Sequence, residues 1–385
     1  MKNILLRIIV LIFISFSSCK DTNELEKNIE NIKVDVKKKY PRGNFKDYFS
    51  SSKVISLETN EHSIFHNIDR MSLYDNKFFI LDKKSNGVYI FNNKGKFLNK
   101  IQNIGKGPGE YISLMDFTID EKENHIILYT DRPYKLLTYT PKGQLIKEKK
   151  VDDLYFNMSF TNNKLLFMTK NIKRKNKLIE YDLKRDKKKG FLTSNEKDKF
   201  FSKLGMLNPS ITKNENIHIS FPYLETIYEY NEDGFFAKYN IDFGKGQMPN
   251  AIINKLDKDY KGLYNYVKEN NYGFGISNFR ENKDYVTFNF YNNMIVIYSK
   301  VLKKSNAFRL FINDSDQIPF YNYFAHDGDD NKIISIYPAI QFKNQMDTYK
   351  KEIKPWKRMP AYLKELDKKV SHNDNPLLIV YSFKE

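Results

Sequence analysis

Short apolar strands recur along most of this chain at a nearly regular interval, and this repetition limits the folds that the chain can adopt. Strands of this kind are predicted at Phe78–Leu81, Ile126–Tyr129, Leu165–Met168, Ile217–Ile219, Val286–Phe288 and Ile333–Ile336. Regularly spaced short strands are typical of sandwiches, barrels and propellers. Because a four-stranded propeller blade takes ~40–50 residues, six blades would fill residues 54–385.

A turn motif repeats with the same period. An aromatic residue stands four positions before a glycine, and apolar residues follow, at Phe91–Gly95, Tyr139–Gly143 and Tyr230–Gly234. The first two glycines are 48 residues apart (143 − 95), and the last two are 91 apart (234 − 143), close to twice that interval. Glycine suits a hairpin turn because it takes a positive φ without a Cβ penalty. The motif therefore favours a propeller over a sandwich.

The blades can be assigned along the chain. The first five are predicted at residues 67–103, 112–151, 155–192, 207–243 and 274–312. The sixth would use 320–326, 331–337 and Leu377–Phe383, which supplies only three strands. The early segment Val54–Leu57 is predicted to be its outer strand, so that the two chain ends close the ring and leave short, protected edges. We expect an all-β fold: a six-bladed β-propeller over residues 46–385, with four-stranded blades and a small helical insertion near the C-terminus.

Residues 1–18 are predicted to be a lipoprotein signal peptide. Lys2 and Arg7 supply positive charge, and the apolar stretch over 8–16 is too short for a stable transmembrane helix. Two serines then precede Cys19, and this run resembles the lipobox of bacterial lipoproteins. The resemblance implies that Cys19 is lipidated and that the protein meets the membrane only through this anchor. A plain secreted protein is the alternative.

Cys19 is also the only cysteine in the chain, which excludes a disulfide framework and a cysteine-based zinc site. Residues 19–45 are polar and are predicted to be a tether, although Val34 and Val36 alternate like a short strand that could dock on the body. The pair Lys20-Asp21 resembles the signal that some Bacteroidota use for surface lipoproteins. We expect an outer-membrane lipoprotein at the cell surface, with the periplasmic side as the alternative.

The chain is strongly basic, with a formal net charge of +17 over 385 residues. A nucleic-acid partner is the first hypothesis from such a balance. Export and the lack of a nucleic-acid motif argue against it, so no nucleic-acid partner is predicted. A generic solvated basic surface is favoured, and attraction to acidic glycans or anionic envelope polymers is the functional alternative.

Five runs together carry a family resemblance: SLET (Ser56–Thr59), FFILD (Phe78–Asp82), FNNKGKFL (Phe91–Leu98), IGKGPGEY (Ile104–Tyr111) and DNPLLIVYSF (Asp374–Phe383). Over residues 32–385 the chain resembles the uncharacterised six-bladed β-propeller lipoproteins of Bacteroidota, which are distantly similar to NHL and TolB-type propellers. The resemblance implies a fold and an envelope location, and it implies no activity.

The loop GKGPGEY is the most distinctive segment. A phosphate-binding P-loop is excluded because Pro108 and a following strand replace the required helix start. Lys106, Glu110 and Tyr111 are candidate ligand-binding residues if the loop contacts an anionic ligand. The alternative is a structural crossover between blades one and two, with Glu110 capping loop amides.

Two insertions interrupt the repeat, at about 244–273 and 341–373. The first carries Tyr260, Tyr264, Tyr266 and Tyr272, and the second carries Trp356, the only tryptophan. Loops on a rigid scaffold often carry binding sites, and aromatic rings stack on apolar faces of sugars and peptides. These five aromatic residues are therefore candidate ligand-binding residues. The alternative is that they anchor the insertions on the propeller.

No catalytic residue, metal-ligand set or cofactor is predicted. His125 and His218 begin comparable strands of blades two and four and are interpreted as isolated, and the acidic run Asp327–Asp330 is interpreted as a solvated turn. The expected function is a non-catalytic binding or scaffold module for a glycan, a peptide or an envelope protein. The alternatives are a propeller enzyme acting at the central channel mouth, such as a glycan lyase, hydrolase or lactonase, and a TolB-like envelope assembly factor.

Overall fold

The computed structural model describes residues 29–37, 39–169, 175–203, 210–249, 260–290, 294–313, 318–320 and 323–384, with backbone alone at 260, 261, 319 and 353–355. The predicted signal peptide, the candidate lipidation site Cys19 and the tether up to residue 28 lie outside this part of the chain.

Four elements precede the first complete blade: β1 (Glu30–Lys33), β2 (Arg42–Asn44), α1 (Phe45–Tyr48) and β3 (Phe49–Ser56). Ile32 and Val34 alternate with polar residues, and both side chains are buried against the core between blades four and five. This alternation docks β1 on the propeller as a strand. The described body therefore begins well before residue 46, within the segment predicted to be a tether.

Five four-stranded antiparallel blades follow in chain order. Blade one comprises β4 (Arg70–Tyr74), β5 (Lys77–Asp82), β6 (Gly87–Asn92) and β7 (Phe97–Ile101). Blade two comprises β8 (Leu114–Asp120), β9 (His125–Asp131), β10 (Tyr134–Tyr139) and β11 (Leu145–Lys150). Blade three comprises β12 (Asn157–Thr161), β13 (Lys164–Met168), β14 (Asn176–Asp182) and β15 (Lys187–Thr193).

Blade four follows helix α2 (Glu196–Lys203) and comprises β16 (Ser210–Lys213), β17 (Ile217–Ser220), β18 (Thr226–Asn231) and β19 (Gly234–Asp242). Its outer strand β19 also pairs in parallel with β1, which makes a fifth strand. A short 3-10 turn (Gly244–Gly246) and helix α3 (Tyr260–Asn270) lead to blade five, which comprises β20 (Ser277–Glu281), β21 (Tyr285–Phe290), β22 (Met294–Ser299) and β23 (Lys304–Phe308).

Blade six closes the ring with strands from both ends of the chain. After the short strands β24 (Leu310–Ile312) and β25 (Pro319–Phe320) come β26 (Lys332–Tyr337), helices α4 (Ala339–Lys351), α5 (Ile353–Arg358) and α6 (Ala361–Lys369), and β27 (Leu377–Phe383). The strand β27 pairs with β26 on one side and with β3 on the other. The predicted six-bladed propeller, its closure by an N-terminal strand and its late helical insertion are confirmed. The innermost position of blade six is reduced to a bridge between Phe324 and Ile334.

The repeated glycines do what the turn motif predicts. Gly95, Gly143 and Gly234 have φ angles of 82°, 83° and 126°. At Gly95 a Cβ atom would also lie 2.0 Å from the backbone oxygen of Ser56, in the outer strand of blade six. A side chain at that position would thus meet both backbone strain and a clash with the next blade.

Blades pack face to face, and each interface has its own apolar cluster. The one between blades one and two includes Phe79, Leu81, Phe117, Leu128 and Leu137, all almost fully buried. The second strand of each blade has apolar residues on both faces because it is covered on both sides. This explains why the six apolar runs stood out in the sequence.

At the centre of the ring, residues 326–328 lie across the axis, and we call them the axial segment. Asp327 bridges Ser72 of blade one, and the backbone N–H of Lys213 in blade four donates to Asp327 Oδ1 (2.8 Å). Gly328 N–H donates in turn to the carbonyl of Lys213 (2.7 Å). Blades one and four stand opposite each other in a six-bladed ring, so the axial segment spans the central channel.

Arg70 completes this arrangement. Its guanidinium donates to Asp116 Oδ2 of blade two, to the Met158 carbonyl of blade three and to Asp327 Oδ2, each at 2.6 Å. Arg280 of blade five donates to the carbonyl oxygens of His326 and Gly328. All six blades therefore meet at the axis through buried polar groups. The interpretation of Asp327 as part of a solvated turn is wrong, since it is only 8% exposed.

We predict that Arg70→Met destabilises the fold by about 3–5 kcal/mol, because it leaves two buried carboxylates without their cation. The measurement is urea-induced unfolding. Arg185→Met is the matched control, since Arg185 is an exposed arginine whose nearest carboxylate, on Asp182, lies 3.9 Å away; it should cost under about 1 kcal/mol. Equal effects of the two substitutions would contradict the structural role of Arg70.

Candidate functional site

The alternation of antiparallel strands gives the propeller two different faces. The tight turns after the first and third strands of each blade lie on one face, which we call the turn face. The connections after the second and fourth strands lie on the opposite face, which we call the insertion face. That face carries the loop 102–113, α2, α3 and the three helices of blade six. Both predicted insertions therefore start from the same face.

The GKGPGEY loop is held by hydrogen bonds within itself and to the outer strands of blade two. Glu110 accepts a hydrogen bond from the Gly107 N–H (2.8 Å), and Glu148 accepts one from the Gly109 N–H (2.8 Å). The Tyr139 hydroxyl donates to the carbonyl of Gly109. An anionic ligand at these two amides would have to displace a carboxylate of the protein itself.

The three candidate residues of this loop occupy different environments. Lys106 is exposed and Glu110 is partly buried. Tyr111 is fully buried in the core between blades one and two, and its hydroxyl donates to the carbonyl of Asn86 (2.9 Å). A ligand on the loop surface would thus reach Lys106 and Glu110, whereas the ring of Tyr111 is enclosed by the protein.

Helices α2 and α3 form a cap beside blade four. Phe201 of α2 stacks on Tyr223 with ring centres 4.8 Å apart, and Leu263 and Val267 of α3 are buried in the same cluster. Lys177 and the hydroxyl of Tyr223 both bind Asp198, which ties α2 to blades three and four. The cap is therefore a packed part of the propeller.

Three candidate tyrosines of the first insertion lie on this cap. Tyr266 and Tyr272 have ring centres 5.6 Å apart and are partly buried. Tyr264, two residues before Tyr266 on α3, projects from another side of the helix and is 39% exposed. We call these three residues the tyrosine patch. The side chain of Tyr260 lies outside the described part of the structure.

Trp356 lies in a different part of the molecule. It is partly buried against the cluster of blades five and six, with the ammonium groups of Lys350 and Lys364 at 5.7 and 5.4 Å from its ring centre. The structure therefore does not join Lys106, the tyrosine patch and Trp356 in one site. They belong to blades one and two, to the blade-four cap and to the blade-six helices.

A buried charged cluster, not found from the sequence, lies between blades four and five. His218 Nε2 lies 3.0 Å from Glu229 Oε2 and 2.9 Å from Glu281 Oε2. Lys238 contacts the same two oxygens, and Lys300 lies 2.6 Å from Glu281 Oε1. His218 and Glu229 are direct partners on neighbouring strands, so an exact strand register would have paired them. Glu281 comes from another blade, and no local pattern indicates that contact.

The cluster has the donor types of a metal site, because one imidazole nitrogen and two carboxylate oxygens lie within 4.8 Å of one another. Lys238, however, places its ammonium on the same carboxylate oxygens that a divalent cation would use. The ammonium thus supplies the positive charge that the carboxylates need, and a metal ion would have to displace it. The geometry fits an ion-pair cluster better than a metal centre.

Protonation of His218 strengthens this cluster. Burial opposes the charged form, but hydrogen bonds to Glu229 and Glu281 outweigh burial and raise the pKa of His218 above 6.5. Burial also opposes ionisation of Glu281, yet the hydrogen bond and charge of His218, together with Lys238, hold its pKa well below the usual value of 4.5. The two carboxylates therefore favour the protonated form of this histidine.

The turn face has an acidic mouth above the filled axis. A cavity of about 550 Å³ there is lined by carboxylates of the short turns: Asp75, Glu121, Glu215, Asp329 and Asp330. Glu121 lies 3.0 Å from Lys213, and Asp329 is paired with Lys332. Asp75 is also paired with Lys77, so three of the five carboxylates are already neutralised by lysines.

We predict that His218→Gln lowers stability by about 1.5–3 kcal/mol at pH 5.5, because it removes charged hydrogen bonds. Because the pKa of His218 is higher in the folded than in the unfolded protein, its protonated form stabilises the fold. This stabilisation is complete below the unfolded pKa of 6.5 and is lost as the pH rises through the folded pKa. The loss should therefore shrink towards pH 9 in thermal or urea unfolding. His125→Gln, at the comparable start of the second strand of blade two, is the control. A loss that is constant across this range would contradict a charged His218.

Comparison with solved structures finds the same fold. A crystal structure of a Bacteroides fragilis NCTC 9343 protein, named "Putative exported protein", superposes with a TM-score of 0.71 at 17% identity, covering 93% of this chain and 100% of that one. A duf4221 family member from Bacteroides vulgatus ATCC 8482 gives a TM-score of 0.47 at 9% identity, covering 87% and 97% of the two chains. At 17% identity the likeness to the Bacteroides fragilis structure concerns the fold alone.

Comparison of the sequence itself gives the family. No curated protein matches the chain. The family model "Domain of unknown function (DUF4934)" matches residues 29–382, which begin one residue before β1 and end one residue before the end of β27. The chain therefore belongs to the DUF4934 family.

Proposed function

We propose that this protein is an exported, lipid-anchored binding module that holds its ligand on the insertion face and does not catalyse a reaction. The observation that carries the proposal is the filled axis. A propeller encloses a central channel, and here the axial segment and Arg70 occupy it. A ligand would thus bind on an outer surface.

The insertion face offers the better surface of the two. Its connections carry exposed apolar side chains on several blades: Ile64, Ile104, Ile112, Tyr134, Leu154, Tyr264, Ile340 and Tyr362. Such side chains on a rigid scaffold are typical of recognition surfaces. The turn face instead presents mainly short polar turns and the acidic mouth, with one exposed apolar pair, Val301 and Leu302 of blade five. The insertion face is therefore the proposed binding face.

A glycan is the ligand class that this surface fits best. Tyrosine rings combine a flat apolar face with a polar hydroxyl, which suits the apolar faces and hydroxyl groups of sugars. The tyrosine patch supplies such rings on a packed cap, and the net charge, +15 once the predicted signal peptide with Lys2 and Arg7 is removed (17 − 2), would attract an acidic glycan. A peptide or another envelope protein would use the same face and is the alternative.

The location is proposed from the N-terminal sequence together with the relatives. The run before Cys19 resembles a lipobox, Lys20-Asp21 resembles a surface-export signal, and the Bacteroides fragilis relative carries the name of an exported protein. Within the described part of the chain, no helix has the length and apolarity that crossing a bilayer requires. A lipid on Cys19 would supply the attachment, at the outer membrane and facing the cell surface.

We predict that Cys19→Ser releases the protein into the soluble fraction, because it removes the acyl chains that hold it on the membrane. The measurement is cell fractionation with metabolic labelling by a clickable palmitate analogue. Ser17→Ala, which keeps a small residue in the lipobox, should remain labelled and membrane-bound. Lack of label on the wild-type chain would contradict the anchor. Protease treatment of intact cells, with a periplasmic protein as reference, then separates surface from periplasmic display.

We predict that Tyr264→Ala weakens glycan binding about threefold to tenfold, because one ring stacked on the ligand is lost. The measurement is biolayer interferometry against a panel of neutral and acidic oligosaccharides, followed by affinities for those that bind. Tyr362→Ala is the matched control, since Tyr362 is 48% exposed on the blade-six helices and away from the cap. An equal loss in both variants, or a panel without binding, would contradict the glycan proposal.

A further inference from the structure

We propose that the turn at residues 300–304 of blade five, which we call the apolar tip, contacts the anionic lipid surface of the membrane that holds Cys19. The inference rests on the lipid anchor of the proposed function and adds the orientation of the body on the membrane. It is carried by three independent features of the described residues, which are exposure, position and charge.

The exposure of the tip is unusual. Val301 and Leu302 are 77% and 76% exposed, more than any other large apolar residue described in the protein. They are adjacent at the end of a hairpin, where polar residues usually stand. The Leu302 N–H donates to the Ser299 hydroxyl (3.2 Å), so the turn holds both side chains away from the body. Scattered single apolar residues need no explanation, but this projecting pair does.

The tip lies where the chain enters the body. Lys303, next to Leu302, binds Glu30 at the start of β1 (2.7 Å), and the Ser305 hydroxyl donates to the carbonyl of Lys33. Glu30 is only eleven positions after Cys19 (30 − 19). Even a fully extended chain of that length spans at most ~40 Å. A lipid on Cys19 therefore keeps this corner of the propeller near the membrane.

The rim of the turn face carries more exposed cations than acids. The turns between the third and fourth strands of blades one, two, three and five carry Lys94, Lys96, Lys142, Lys184, Arg185, Lys303 and Lys304. Lys303 is paired with Glu30, and the turn of blade four carries the exposed acids Glu232 and Asp233. Basic residues near anionic lipid add to the binding that apolar side chains supply by entering the interface. The acidic mouth lies further inward on the same face, so the rim, not the centre, would meet the lipid.

This placement orients the whole protein. The tip is on the turn face, so the insertion face with its tyrosine patch points away from the membrane. Lipid contact and ligand contact would then use opposite ends of each blade, and neither would block the other. The two contacts can therefore be tested with separate variants.

The first experiment uses the chain processed at residue 18 and carrying Cys19→Ser, so that no acyl chain contributes. Vesicles of phosphatidylethanolamine and phosphatidylglycerol should bind it in a flotation assay, and phosphatidylcholine vesicles should bind it less. Val301→Ser/Leu302→Ser should weaken binding about tenfold, because it removes both apolar side chains. Ile64→Ser/Ile112→Ser, which changes two exposed residues of the insertion face, should bind like the parent.

The second experiment uses the lipidated chain reconstituted in the same vesicles. Since lipidation consumes the thiol of the only native cysteine, Leu302→Cys and Ile64→Cys each offer one thiol for a polarity-sensitive fluorophore. The label at residue 302 should shift to the blue and be quenched by brominated lipid, and the label at residue 64 should not. Equal quenching at both positions, or none at 302, would overturn the proposal.

Failure of this inference is distinguishable from failure of the proposed function. Val301→Ser/Leu302→Ser should keep the wild-type affinity for any glycan that the panel finds, because the tip is on the other face. A wild-type chain that takes up no palmitate label in cells, although its tip binds anionic vesicles, would contradict the anchor alone. Loss of self-association in the tip variant, seen by analytical ultracentrifugation without vesicles, would instead assign the tip to an interface between copies and overturn the membrane contact.

Discussion

The ion pairs of Arg70 with Asp116 and Asp327 hold the ring at its axis, and the other features of the structure depend on them. A propeller is a closed set of blades whose inner strands would otherwise face a water-filled channel. Here the Arg70 guanidinium, buried between two carboxylates, joins blades one, two and three and also binds Asp327 of the axial segment. The axial segment in turn contacts blade four. Burial opposes the charge on Arg70, but the two carboxylates raise its pKa further, so the cation persists. Removing one partner of a buried ion-pair group strongly destabilises a fold, even where the intact group adds little net stability.

The repeat made most of the fold predictable, because every blade requires the same local pattern of apolar and turn residues. A strand covered on both sides needs an apolar run such as Phe78–Leu81, and a hairpin with positive φ needs a glycine such as Gly95. The ring closure was predictable for a different reason, since Val54–Leu57 was a strand without a blade. The axial segment was not, because Asp327 lies in an acidic run that looks solvated, and only its partners on blades one and four make it a buried residue.

Candidate sites were harder to predict because the role of each residue depends on its contacts with a neighbouring blade. Tyr111 belongs to a loop that looks like a binding loop, yet its ring fills the space between two sheets. His218 looks isolated in the sequence, yet Glu229 of its own blade and Glu281 of the next turn it into a charged cluster. The local sequence pattern predicts which strand a residue belongs to and on which face of the strand its side chain lies. It does not give the register between neighbouring blades, and that register decides what each polar residue meets.

The two faces of the propeller follow from its antiparallel topology, and we propose a different role for each: membrane contact for the turn face and ligand contact for the insertion face. Antiparallel strands return to the same end after every second turn, so insertions collect on one face and tight turns on the other. The strand β1 pairs in parallel with the second half of β19, and its first residue, Glu30, contacts Lys303 in the blade-five turn, so the chain runs from beside that turn towards the insertions. The proposed lipid anchor upstream of β1 would hold the turn face near the membrane and leave the insertion face free. The longest connections can then vary without disturbing the anchor, while the filled axis keeps the two faces rigidly joined.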